Sequence, residues 1–141
     1  MEDFFTYGHR YYYPHMKPND IAIWERFMAA EPEYFEEVQY DVTVGSPPPF
    51  DPTVNDSTGG EVSDLYKKKI DVIGWRDDFP FIVEVKPRAG SAAIGQVLGY
   101  IEMYKRDHRP INPPKPMILT DTTSPDLEIM AKRYGVEILI A

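Results

Sequence analysis

The 141-residue sequence contains no cysteine. This absence excludes disulfides and thiolate-bound zinc, and it is typical of an intracellular protein. The sequence also has no long apolar run, so we expect no membrane-spanning helix. Its first residues, Met1 to Phe5, lack the basic start of a signal peptide. We therefore expect a cytoplasmic protein with one hydrophobic core.

Positive charge is scarce. Lysine and arginine number 15 against 23 aspartates and glutamates, which gives a net charge of −8. A free-standing nucleic-acid binder usually has a basic surface, so this composition argues against simple DNA binding. A local basic patch is still compatible with an acidic chain, and its candidate members are Lys67, Lys68, Lys69, Lys86 and Arg88.

Several common site motifs are also missing. The Gly59-Gly60 pair has no strand before it and no helix after it, so it is not a phosphate loop. The histidines at positions 9, 15 and 108 have no metal-ligand spacing. No serine or threonine lies in a nucleophile-elbow pattern. The sequence therefore offers no nucleotide-binding loop, histidine metal site or serine nucleophile.

The periodicity of the apolar residues predicts the order α-β-β-β-α-β-α-β. The first helix opens at Pro18-Asn19-Asp20 and ends at Pro32, and a strand follows from Tyr34 to Gly45. The remaining predicted elements are strands over Leu65–Trp75 and Phe79–Lys86, a helix over Ala92–Lys105 after an N-cap at Ser91, a strand over Pro116–Thr120, a helix over Pro125–Tyr134 between Ser124 and Gly135, and a strand over Val136–Ile140. Gly95 and Gly99, four residues apart, predict a close approach of that helix to the sheet.

Two segments lie outside this pattern. Residues 1–17 form an arm rich in aromatic residues, which we expect to dock on the domain or on a partner. Residues 18–141 form the domain, and within them 46–63 read as a long loop rich in proline, serine and glycine. A loop of this length is functional or disordered, and we favour one that is held by packing or by a partner.

The most informative segment is a predicted hairpin that carries three charges. Strand side chains alternate between faces, so Glu84 and Lys86 share a face, while Phe81, Val83 and Val85 share the other. If Asp77-Asp78 is the turn, Asp71 lies opposite Glu84 with Cβ atoms about 4.5–5.5 Å apart. Facing carboxylates repel each other unless a cation lies between them. Solvent-facing charges on a plain hairpin are the alternative, but the apolar residues on both sides of each charge favour a buried hairpin.

This arrangement resembles the PD-(D/E)XK nuclease superfamily. The resemblance rests on Asp71, on the Glu84-Val85-Lys86 triplet, and on Gln96 and Tyr100 of the following helix. It implies an α/β mixed sheet with an αβββαβ core of restriction-endonuclease type over residues 18–120, followed by a C-terminal αβ extension. It also implies a DNA nuclease in which Mg²⁺ or Mn²⁺ binds Asp71, Glu84 and the Val85 carbonyl.

By the same resemblance, Lys86 assists the attacking water and Gln96 positions the nucleophile or the phosphate. Tyr100 lies one turn further along the helix, where it is equally a core residue. Glu25 corresponds in placement to an acid that many members carry on the first helix, although a solvated helix charge explains it better. Substrate strandedness and endo- or exonuclease action stay open.

A structural or assembly role is the alternative. The acidity, the aromatic arm and the long loop favour it, with Tyr11, Tyr12, Tyr13 and Phe50 as a sticky surface. A Tyr-Pro-His-Met segment before a Trp-Glu-Arg helix resembles bacteriophage head, neck or tail proteins. In this interpretation the partners are other phage proteins or further copies of the chain, in the host cell or in the virion.

Overall fold

A computed structural model of the chain describes residues 3–45 and 67–141. In this part of the chain the helices are α1 (Pro18–Ala30), α2 (Ser91–His108) and α3 (Pro125–Tyr134). The strands are β1 (Phe5–Thr6), β2 (Glu37–Val44), β3 (Lys68–Arg76), β4 (Phe79–Val85), β5 (Lys115–Thr120) and β6 (Glu137–Ile140). The predicted loop 46–63 lies outside the described residues, as do the first residues of the predicted second strand.

The strands form one six-stranded mixed sheet in the order β1-β2-β3-β4-β5-β6. Neighbours from β1 to β4 are antiparallel, and β4, β5 and β6 are parallel. The parallel strands are joined through α2 and α3, as βαβ connections require. The predicted α/β fold with its αβββαβ core and αβ extension is confirmed. The short β1 within the arm was not predicted.

The hairpin between β3 and β4 has the predicted turn. Asp77 and Asp78 have positive φ angles of 53° and 67°, as a two-residue turn of the I′ type needs. Arg76 pairs with Phe79, and the pairing continues in step to Val72 with Val83. Continued by one position, this register sets Asp71 opposite Glu84.

The sheet is covered on both faces. Helix α1 and the arm pack on one face, over a buried cluster that includes Trp24, Val72, Val83 and Val85. Helices α2 and α3 cover the other face, over a cluster that includes Ile73, Ile82, Val97 and Leu127. None of the described helices is both long and apolar enough to span a membrane.

The aromatic arm contributes to the first of these clusters. Tyr7 and Tyr13 are buried within it, and β1 pairs with β2. Tyr11 and Tyr12, by contrast, are 100% and 70% exposed. The arm therefore combines buried anchors with an exposed aromatic tip.

Two local predictions need correction. Ser91 is the first residue of helix α2 and not its N-cap. The N-cap is Gly90, which supplies no side-chain hydrogen bond. Gly95 and Gly99 make no close approach, since a Cβ at either position would meet nothing within 4 Å. The close approach occurs at Gly74, where a Cβ would lie 2.5 Å from the Phe35 ring.

Candidate active site

In the paired strands β2 and β3, which we call the β2–β3 ribbon, the alternation of side chains between the two sheet faces is interrupted at Asp41 and Asp71. Tyr40 packs in the cluster under α1, yet Val42, two residues on, packs in the cluster under α2. Val72 and Ile70 differ in the same way on the partner strand. Strand alternation would keep each pair on one face. The break coincides with Asp41, whose φ of 59° is left-handed.

This change of face explains why the neighbours of Asp71 come from both layers. From the α1 side, Asp20 in the first turn of that helix raises the pKa of Asp71. From the α2 side, Asp71 and Glu84 both raise the pKa of Tyr100. Asp71 therefore interacts electrostatically with groups of both helical layers, at the edge of the sheet where the β3–β4 pairing ends.

Of the carboxylates at this edge, Glu84 is buried and Asp71 and Asp20 are half-buried. Burial first, and then the charge of Asp71, raises the pKa of Glu84 to about 7, although Lys86 opposes the shift. Burial, followed by the charges of Asp20 and Asp41, raises the pKa of Asp71 to about 6. Burial is also the main cause that raises the pKa of Asp20. Each group resists ionisation because desolvation and like charge both disfavour its anionic form.

Glu84 is the most deeply buried of these acids, with an exposed fraction of 7%. Among the described residues, no hydrogen-bond donor contacts its carboxylate. Buried charges in proteins are normally paired or bound to a metal ion. An acid in this environment is typical of a functional site.

Lys86 is positioned by the chain that follows β4. Its backbone N–H donates to the Leu119 carbonyl at 2.9 Å, and that bond extends the β4–β5 ladder. The next turn is tied to the end of β5, since the Ala89 N–H donates to the buried Thr120 hydroxyl at 3.0 Å. Lys86 itself is exposed, directly beyond the strand that carries Glu84.

Helix α2 brings the other predicted residues to the same place. The Gln96 side-chain amide donates to the Tyr100 hydroxyl at 3.1 Å, and this bond lowers the pKa of Tyr100 against the upward effect of burial. Gln96 is thus bonded to a hydroxyl whose pKa the charges of Glu84 and Asp71 raise. Electrostatic effects link Glu84 with Asp71 and Lys86, and Tyr100 with both carboxylates.

Glu25 lies elsewhere. It accepts a hydrogen bond from the Tyr13 hydroxyl at 2.7 Å and contacts the His9 ring at 2.7 Å, so it anchors the arm. The first-helix acid near Asp71 is Asp20. In the sequence, Asp20 indicates only the start of the first helix. The sequence of the hairpin does not indicate which turn of α1 lies near Asp71.

The oxygen donors at this edge suit a hard cation. No three side chains of the described residues converge closely enough to hold a metal ion by themselves. The Val85 carbonyl lies beyond the last β3–β4 pair. A cation held by two carboxylates and this carbonyl would take its other ligands from water. Mg²⁺ usually binds in that way, through one or two carboxylates and several waters.

No protein-family profile and no curated protein matches this sequence. Two solved structures share its fold. One is a protein of unknown function, with a TM-score of 0.54 and 17% identity over 84% of this chain and 56% of its own. The other is a repair endonuclease from Pyrococcus abyssi, with a TM-score of 0.50 and 12% identity over 95% of this chain and 49% of its own. The chain thus spans about half the length of these neighbours, and the likeness shows an endonuclease-like fold.

Proposed function

We propose that this protein is a metal-dependent nuclease of the PD-(D/E)XK type that hydrolyses phosphodiester bonds in DNA. The observation that carries the proposal is the burial of Glu84 one position beyond the last β3–β4 pair, where the charge of Asp71 raises its pKa. Glu84 is 7% exposed, without a hydrogen-bond donor among the described residues, and beside a second acid. Such a pair weakens the fold unless a cation occupies it. The fold shared with a repair endonuclease supports the same proposal.

In this proposal the carboxylates of Asp71 and Glu84 and the Val85 carbonyl hold Mg²⁺ or Mn²⁺. The ion would polarise the scissile phosphate and lower the pKa of a bound water. Lys86 stabilises the charge that develops on the phosphate and orients the attacking water. Gln96 and Tyr100 form a hydrogen-bonded pair that positions the nucleophile from the α2 side. Asp20 supplies a further acceptor from α1.

The test is cleavage of plasmid and linear DNA by the purified protein with Mg²⁺, Mn²⁺, Ca²⁺ or EDTA. We expect cleavage with Mg²⁺ or Mn²⁺ and none with EDTA. Lys86→Ala should lower the rate by about 10²-fold or more, since one preorganised donor at the reacting phosphate has an effect of that size.

The matched control is Lys105→Ala. Lys105 is an exposed lysine of α2 whose ammonium pairs with Glu102 at 3.3 Å, so its loss should leave the rate unchanged. Wild-type protein that cleaves neither substrate with either ion would contradict the proposal. A Lys86→Ala variant as active as the wild type would contradict the role given to Lys86.

An assembly role is the second candidate, and one observation favours it. Tyr11 and Tyr12 are 100% and 70% exposed on an arm that is anchored by the buried Tyr7 and Tyr13. Exposed tyrosines on an ordered support are typical of protein interfaces. In this role the chain would be a structural or assembly protein of a phage virion, with little nuclease activity. Sedimentation should then show oligomers that a Tyr11→Ser, Tyr12→Ser variant loses, whereas a monomeric wild type would contradict self-assembly.

A further inference from the structure

Strand β6 forms one edge of the sheet, and no strand of the described residues pairs with its outer side. Proteins usually protect such an edge with lysine, proline, a bulge or a very short strand. The opposite edge follows that rule, since β1 has only two residues. β6 has four residues, without lysine or proline, and Ile140 at its end is 52% exposed. The β6 edge is therefore open to a further strand.

The outer side of β6 has a defined pattern of hydrogen-bonding groups. The Ala141 N–H donates to the Thr120 carbonyl of β5 at 2.9 Å. Backbone groups point to alternate sides along a strand, so Leu139 also directs its N–H and C=O to β5. By the same alternation, Ile138 and Ile140 direct theirs outward, away from the sheet.

This pattern is complementary to itself. In an antiparallel β6–β6 pair centred on Leu139, Ile138 of each copy exchanges both backbone hydrogen bonds with Ile140 of its partner. Each copy uses the same groups, as the two-fold symmetry of a homodimer requires. On the α3 side of the sheet, the exposed Ile140 side chain lies opposite the partner's Ile138, which is itself only partly buried.

The α1 side of β6 also fits a second copy. Leu139 borders an apolar groove of about 640 Å³, whose other lining residues include Phe27 and Ala30 of α1. In the antiparallel pair, the partner's Leu139 lies opposite Leu139 on the same face, with Cβ atoms about 4.5–5.5 Å apart. The groove therefore receives a leucine side chain from the partner strand.

Charge complementarity identifies the occupant as a second copy. The Arg26 guanidinium donates to the Ala141 carbonyl at 3.1 Å, and it forms no ion pair with a carboxylate of the described residues. The register centred on Leu139 sets the partner's Glu137 opposite Ala141, and therefore beside Arg26. Within one chain, Glu137 and Ala141 are about 13 Å apart along the strand, at about 3.3 Å per residue, so the chain's own Glu137 does not reach Arg26.

We propose that β6 is a homodimer interface, in which the strands of two copies pair antiparallel about Leu139 and Glu137 of each copy pairs with Arg26 of its partner. One sheet then continues through both copies. Because β4 and β6 are parallel, whereas the two β6 strands run in opposite directions, the two carboxylate sites lie at opposite ends of this joined sheet. The proposal is independent of nuclease activity and uses a different surface from the aromatic arm.

The test is the oligomeric state of the full chain by sedimentation equilibrium. We expect a dimer that forms with rising protein concentration, up to about 1 mM, where a dissociation constant of that size would still show. Arg26→Glu and Glu137→Arg should each weaken dimerisation at least about tenfold, because each sets like charges against each other. The double variant should restore the dimer, since each reversed charge then meets its opposite in the partner. Circular dichroism of each variant reports whether it is folded.

A matched pair of isoleucines tests the apolar contact. Ile140→Ser should weaken dimerisation several-fold, whereas Ile111→Ser should not, although Ile111 is 99% exposed. The Tyr11→Ser, Tyr12→Ser variant should keep this dimer and lose only oligomers that the arm forms. A wild type that stays monomeric would leave the edge to a different protein and overturn the proposal. A double charge variant no better than the single ones, or a dimer lost only by the arm variant, would also overturn it.

Discussion

At the scale of single residues, the site consists of acids held where their ionisation is unfavourable. Glu84 is buried beside Asp71, and the pKa of Glu84 rises from 4.5 to about 7. A folded-state pKa above the unfolded value means that the folded protein keeps a proton which the unfolded chain releases. The contribution of Glu84 to stability without metal is therefore most favourable below about pH 4.5, and it is lost as the pH rises through about 7.

Replacing Glu84 with glutamine should remove this pH dependence. In metal-free buffer at about pH 8, we expect Glu84→Gln to raise the free energy of unfolding by about 1–3 kcal/mol, because one pKa unit corresponds to about 1.4 kcal/mol. At about pH 4, wild type and variant should differ little. Urea unfolding at the two pH values measures this.

The control for that measurement is Glu102→Gln, an exposed acid of α2 that pairs with Lys105. An exposed pair of this kind contributes at most about 1 kcal/mol, so the unfolding curve should move little at either pH. A Glu84→Gln variant that is equally destabilised at both pH values would show that Glu84 is held by contacts rather than penalised by burial.

At the scale of secondary-structure elements, the β2–β3 ribbon decides the geometry of the site. Three residues beyond Asp71, the sheet packs closely against the α1 layer. Gly74 allows this close packing, because a Cβ at this position would lie only 2.5 Å from the buried Phe35 ring. Phe35 also packs against the rings of Tyr7, Trp24, Phe27, Tyr34 and Phe81, so it has little room to move.

Gly74→Ala should therefore lower the free energy of unfolding by about 1–3 kcal/mol, the usual cost of overpacking a core. Gly95→Ala is the matched control, since its Cβ would meet nothing within 4 Å on a helix. It should be neutral or raise stability by up to about 1 kcal/mol, because alanine favours helix more than glycine does. Chemical denaturation of both variants tests this, and equal effects would contradict the packing account.

The elements also show which features local sequence determines. The hairpin could be predicted because Asp77-Asp78 interrupts two alternating strands, and α3 because Ser124 and Gly135 carry recognisable cap chemistry. The Gly95 and Gly99 spacing was misleading, since only the packed structure shows which glycine meets a neighbouring ring. Gly74 lies in a strand with no comparable local signal.

At the scale of the whole molecule, topology assembles the site from distant segments. The antiparallel β3–β4 pairing runs to Val72 and Val83, so its continuation sets Asp71 opposite Glu84, and Lys86 follows directly after β4. Asp20 and Asp41 join them through tertiary structure alone. Neither could be inferred from spacing, since Asp20 depends on how α1 crosses the sheet and Asp41 on a left-handed residue within a strand.

Charge is also distributed unevenly over the molecule. The net charge of −8 predicts weak attraction to DNA overall, yet Lys17 and Lys86 both lower the pKa of Asp20, and the Lys69 ammonium lies 3.2 Å from Asp41 Oδ2. Net charge describes the average field of a protein, whereas binding depends on the local field at the contact. If the proposed nuclease function holds, the net charge of −8 confines DNA binding to the local field at the site.

The measurement that tests the account most directly is Mn²⁺ binding, followed by electron paramagnetic resonance, for wild type, Asp71→Asn and Glu25→Gln. If the buried pair exists to hold a cation, wild type should bind the ion at this edge. Asp71→Asn should bind it at least about tenfold more weakly, a difference of about 1.4 kcal/mol. Glu25→Gln should match the wild type, since Glu25 anchors the arm. Wild type that binds no Mn²⁺, or Asp71→Asn that binds it equally well, would contradict the account.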